Sequence, residues 1–159
     1  MKRLILLILL AFSASAPALA THIVGGNLNY QHISGNTYRV TLVLYRDCNG
    51  GQAAFDDPAA LGIFNSQTGA LVQTLEMALD SVVQLESTIN SSCVTVPTNI
   101  CVEAGYYTDE VTLPPTAAGY TLSYQRCCRN AIIQNIDNPG DVGTTLVAAI
   151  PGTSSFPVN

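Results

Sequence analysis

The chain has 159 residues, six cations against eleven acids and a formal net charge of −5. That length fits one domain with enough chain for a real core. Scarce cations exclude a nucleic-acid binder, which needs clustered Lys and Arg against phosphate, and argue against an anionic membrane surface.

The first element in chain order is an export signal. Lys2 and Arg3 precede an unbroken apolar run from Leu4 to Phe12, and Ser13 to Ala20 is rich in small residues and ends Ala18-Leu19-Ala20. This is the three-part layout of a cleavable secretory signal. The apolar run has nine residues, and spanning a bilayer takes about 20. Cleavage is expected after Ala20, so residues 1–20 are the signal peptide and residues 21–159 a single β-sandwich domain. Without Lys2 and Arg3, four arginines face eleven acids, a balance of −7, and no lysine is left. That excludes Schiff-base chemistry and a Lys–Asn isopeptide crosslink.

Strand patterns follow. Gly26 to Ile33 is a first strand, and Ser34-Gly35-Asn36 a hairpin turn. From Thr37 to Asp47, Tyr38, Val40, Leu42 and Leu44 alternate with Arg39, Thr41, Val43 and Tyr45. The second face is half apolar, which predicts a central strand. Leu61 to Asn65 is a short strand, and Ser66 to Gly69 a turn. Ala70 to Ser87 fits either a helical stripe or two strands meeting at Asp80-Ser81; the neighbouring strands favour the second. Cys101 to Leu113 is a strand ended by Pro114-Pro115. Tyr120 to Cys127 alternates cleanly, Asn138-Pro139-Gly140 is a turn, and Thr144 to Ile150 a last strand. This series predicts an all-β fold, an antiparallel Ig-like β-sandwich with disulfides.

The five cysteines all follow the signal, so disulfides are permitted. Cys93 and Cys101 bracket a short loop and are expected as one pair. Cys48 and Cys128 are the second candidate pair, because Cys128 is in phase with Leu122 and Tyr124 as Cys48 is with Leu42 and Leu44. Cys127 is then left as a buried free thiol or an intermolecular link. The spacings do not suit a zinc site.

No motif of nucleotide binding, zinc proteolysis or α/β-hydrolase catalysis is present, and a non-enzymatic role with no catalytic residue is expected. Ile23-Val24-Gly25-Gly26 matches the N-terminus of trypsin-like proteases, but no Gly-Asp-Ser-Gly segment accompanies it. Only His22 and His32 are imidazoles. Asp47, Asn49, Asp56 and Asp57 crowd one loop and form a candidate calcium site, since calcium takes six to eight oxygens; no other cofactor is implied. Asp109-Glu110 and Asp137 to Asp141 are two further acidic clusters. The seven tyrosines offer material for a sugar-stacking platform, or simply sheet residues.

Five segments together carry a resemblance: Thr21-His22-Ile23-Val24-Gly25-Gly26, Tyr45-Arg46-Asp47-Cys48, Phe55-Asp56-Asp57-Pro58, Cys101-Val102-Glu103 and Tyr124-Gln125-Arg126-Cys127-Cys128-Arg129-Asn130. Their order resembles the N-terminal region of large secreted Bacteroidota surface proteins. Such proteins carry PKD-like or Ig-like repeats and a gliding-motility-associated C-terminal domain read by type IX secretion. The resemblance implies a secreted or cell-surface location and a structural or adhesive role, but not that this module itself binds anything; other surface proteins or glycans are the partners expected for such a role. It carries over no catalytic residue, and it implies that the chain is either an N-terminal fragment or a stand-alone version. The competing expectations are a calcium-assisted carbohydrate-binding module and an accessory domain of a secreted hydrolase.

Overall fold

The computed structural model describes residues 23–49, 53–86, 99–130 and 133–152. The signal segment, Cys93 and His22 lie outside the described residues. Among the described residues eight strands form in chain order: β1 (Ile23–Ser34), β2 (Thr37–Asp47), β3 (Ala59–Asn65), β4 (Leu71–Met77), β5 (Ser81–Leu85), β6 (Val102–Thr112), β7 (Tyr120–Arg126) and β8 (Thr144–Ile150). A 3₁₀ turn covers Pro139–Asp141. Residues 70–87 hold two strands, as favoured, but these do not form a hairpin: β4 and β5 lie in different sheets.

One sheet has the order β1-β2-β6-β5 and the other β4-β3-β7-β8, and all pairings are antiparallel. This is the strand order of an immunoglobulin-like sandwich with one extra strand beside the third. β2 is central, between β1 and β6. Alternation explains the layering, because residues two apart share a face. Val40, Leu42 and Leu44 of β2 and Tyr107 and Val111 of β6 point inward from the first sheet. Leu61, Ile63, Leu122 and Tyr124 meet them from the second, and all nine are buried in one cluster.

The entry to β7 is fixed by Tyr120, whose hydroxyl donates to the Pro114 carbonyl at 2.7 Å. This tyrosine corner ties the β6–β7 connection to the start of β7, a device of this fold. Gly119 precedes it at φ +71, where a side chain would lie 2.3 Å from the Ile150 carbonyl. Pro114 and Pro115 supply no backbone N–H, which ends strand pairing there.

Candidate functional site

The starts of β1, β3 and β6 and the ends of β2 and β7 lie together at one end of the sandwich. The described parts of all five segments that carry the resemblance therefore converge there, although they are far apart in the chain.

Two arginines organise this end. Arg46 follows Leu42 and Leu44 in the inward alternation of β2, and Arg126 follows Leu122 and Tyr124 in that of β7. Each guanidinium thus falls where the sandwich interior opens to the loops. Arg46 stands opposite Glu103 across the β2–β6 ladder. Its Nε and Nη2 donate to Glu103 Oε2 at 2.9 and 2.7 Å, and its Nη1 donates to the Ala53 carbonyl at 2.6 Å. The cation also lies 4.9 Å from the centre of the Phe55 ring, a cation–π contact.

Asp56 holds the neighbouring position. Tyr124 donates to its Oδ2 at 2.6 Å, and Tyr107 donates to its backbone carbonyl at 2.8 Å. Arg126 Nη1 lies 2.7 Å from Asp56 Oδ1, but too misaligned for a hydrogen bond, so that attraction is Coulombic. Strands β6 and β7 therefore hold one loop residue through three contacts. Burial pushes the Tyr107 hydroxyl up to about 12, helped by the Asp56 charge. Burial and then the Asp56 hydrogen bond raise Tyr124 as well. Both phenols are held protonated as donors.

The cysteine pairing differs from the expectation. Cys48 is bonded to Cys101, with Cα atoms 5.1 Å apart, and Cys127 is bonded to its neighbour Cys128. The expected pairs Cys93–Cys101 and Cys48–Cys128, and the free Cys127 thiol, do not form. The reason is register: Asp47 pairs with Val102, so the next residues outward, Cys48 and Cys101, face each other and share a backbone bond of 3.0 Å. In-phase parity aligned Cys48 with β7, but β7 belongs to the opposite sheet. Cys128 has φ 78, so the chain leaves the strand there and parity no longer applies. Cys127 is exposed and Cys128 half-buried. Arg129 folds the chain back, its N–H facing the Pro139 and Val142 carbonyls at 3.0 Å and its Nε donating to Gly143 O at 3.1 Å.

The four residues of the candidate calcium site are engaged separately. Asp47 Oδ1 accepts from the Asn49 backbone at 2.8 Å, and its Oδ2 is 3.4 Å from Asn130 Nδ2. The Asn49 amide donates to the Asn99 carbonyl, Asp56 faces Arg126, and Asp57 Oδ1 accepts from the Leu79 backbone at 3.1 Å. Among the described residues no group of three His, Cys, Asp or Glu side chains is placed to hold a metal. Of the other acids, Asp109 accepts from the Glu110 backbone and Glu110 pairs with Arg39 at 2.8 Å. His32 lies in the β1–β2 hairpin, 2.8 Å from the Gly35 carbonyl, at the opposite end of β2 from the disulfides. Ile23 is a buried strand residue. Tyr107, Tyr120 and Tyr124 are buried, so these three belong to the core and not to a surface platform.

Sequence reasoning missed the two inward arginines, although extending each alternation by two positions would have found them. It also passed over Gly62 and Phe64, whose side-by-side use appears only in three dimensions. Among the described residues no helix is long and apolar enough to cross a membrane. No family model matches the chain, and no match is found among curated proteins or solved structures.

Proposed function

We propose that this chain is a non-enzymatic structural or adhesive module of an exported protein, presenting the loop end of the sandwich. The carrying observation is the way that end uses its polar groups. Arg46, Glu103, Asp56, Arg126, Tyr107 and Tyr124 are directed at one another and at backbone carbonyls. Groups used this way fasten loops to strands, which suits a surface that must keep its shape. Two disulfides at the same end suit an oxidising compartment, as does the secretory signal. The convergence of the resembling segments supports the same reading, with a secreted or cell-surface location.

The test is a binding assay run beside a turnover assay. Residues 21–159, folded under oxidising conditions, are expected to be retained on intact cells or extracellular polymer and to turn over no ester, peptide or glycoside substrate. Turnover that copurifies with the protein and falls on Asp56→Asn would overturn the proposal.

A further inference from the structure

The outer face of the β4-β3-β7-β8 sheet carries a second feature, on the side of β7 opposite Tyr124 and Arg126. Phe64 of β3 points outward, as does Gly62 two residues earlier. A Cβ on Gly62 would sit 2.5 Å from Phe64 Cε2 and 2.8 Å from Cζ. The absent side chain therefore lets the ring lie down along its own strand. The ring is half-buried and lies close against the Gly62 backbone.

Beside the ring lies a depression of about 300 Å³, at the small end of ligand-site sizes. It is lined by Phe64, Asn65, Ser66, Thr121, Ser123 and Gln125. These side chains are arranged and not merely adjacent. Ser66 Oγ and Thr121 Oγ1 are 2.9 Å apart, and Gln125 Nε2 donates to Ser123 Oγ at 3.2 Å. Ser123 faces outward from β7 yet is 7% exposed, a buried hydroxyl at the floor of the depression. Gln125 Oε1 remains an acceptor, and the hydroxyls of Ser66 and Thr121 each keep capacity for a further bond.

The lining holds no ionised group, in a chain with eleven acids. A charged ligand would find no counter-charge there. A purely apolar ligand would cover the remaining hydrogen-bonding capacity of Gln125, Ser66 and Thr121 without using it, although these groups already bond within the lining. A pyranose satisfies both conditions. Its C–H face carries slight positive charge and suits the negative face of an aromatic ring. Its rim hydroxyls both donate and accept, as the amide and hydroxyl side chains do.

We infer that the Phe64 depression is a binding subsite for a neutral saccharide, with the sugar stacked on the ring and its hydroxyls held by Gln125, Ser66 and Thr121. This rests on the adhesive reading above and gives it a ligand class. It needs no calcium, because the lining residues carry no carboxylate.

The experiment measures retention of residues 21–159 on immobilised neutral glucan, mannan and galactan, with polygalacturonate as the charged comparison. The wild type is expected to bind at least one neutral polymer, equally well with EDTA present, and to ignore polygalacturonate. Phe64→Ala and Gln125→Ala should each weaken binding, by about tenfold for the ring, while Asp141→Asn changes nothing. Gln125 is exposed, so its variant keeps the test valid if Phe64→Ala lowers the melting temperature. Failure to bind any neutral polymer, or binding that both variants leave intact, overturns the saccharide site. If cells still retain the domain in either case, the adhesive reading survives; turnover of substrate would sink that reading instead.

Discussion

Tyr124 donates its phenolic hydrogen to Asp56 Oδ2 at 2.6 Å, joining the inner face of one sheet to the loop that connects the two sheets. The bond exists because Tyr124 is the last aromatic of the inward alternation on β7 and Asp56 follows Phe55, which packs over Gly105. Tyr124→Phe keeps the packing and removes the hydroxyl. A hydrogen bond to a carboxylate contributes about 1.5–3 kcal/mol, and Asp56 is partly open to water, so denaturant unfolding should show a loss near the lower figure. No loss at all would mean that Tyr107 and Arg126 fix the loop without it.

The same contacts set an alkaline limit. Tyr107 and Tyr124 are raised above the ordinary value of 10.0, so the folded state binds protons that the unfolded state releases. Their contribution is fully present below pH 10 and is lost as pH rises from there toward about 12 for Tyr107, since stability falls wherever the native state holds more protons. Melting temperature should drop through that window, less steeply in Tyr107→Phe/Tyr124→Phe. Equal slopes would remove the two phenols from the account.

The two disulfides should contribute unequally. Cys48–Cys101 spans a sequence separation of 53, and closing such a loop in the unfolded chain stabilises by about 4 kcal/mol in the chain-entropy view. Cys127–Cys128 spans a separation of one and restrains almost nothing globally. Replacing Cys48 and Cys101 by Ser should lower the unfolding midpoint far more than replacing Cys127 and Cys128. Within the second pair, Cys127→Ser/Cys128→Gly should be more stable than Cys127→Ser/Cys128→Ser, because residue 128 sits at φ 78, where glycine is unstrained. Non-reducing peptide maps must show the same pairs, and a Cys93–Cys101 peptide would refute them.

Calcium at millimolar concentration should leave the melting temperature unchanged, since Asp47, Asn49, Asp56 and Asp57 are engaged with different partners. A rise of several degrees, abolished by Asp56→Asn, would restore the acidic loop as a cation site.

Much of the fold was legible because period-two alternation is a local property. Leu42, Leu44, Leu122 and Tyr124 declare their inner faces, and Gly35 and Gly69 mark turns whose positive φ values glycine takes without strain. The loop site was only half legible. The sequence shows that Asp56, Arg126 and the cysteines exist, but their partners depend on which strands become neighbours.

By itself, then, the sequence determined the all-β class, most strand positions and the inward stripe of each strand, all of which follow from composition and short-range periodicity. The tertiary structure decided the rest. Placing β2 beside β6 gave Cys48 to Cys101 and Arg46 to Glu103, and bringing the two sheets together gave Asp56 to Arg126 and Tyr124. Such pairings are set by sheet order and register over separations of dozens of residues, where alternation carries a face but no address.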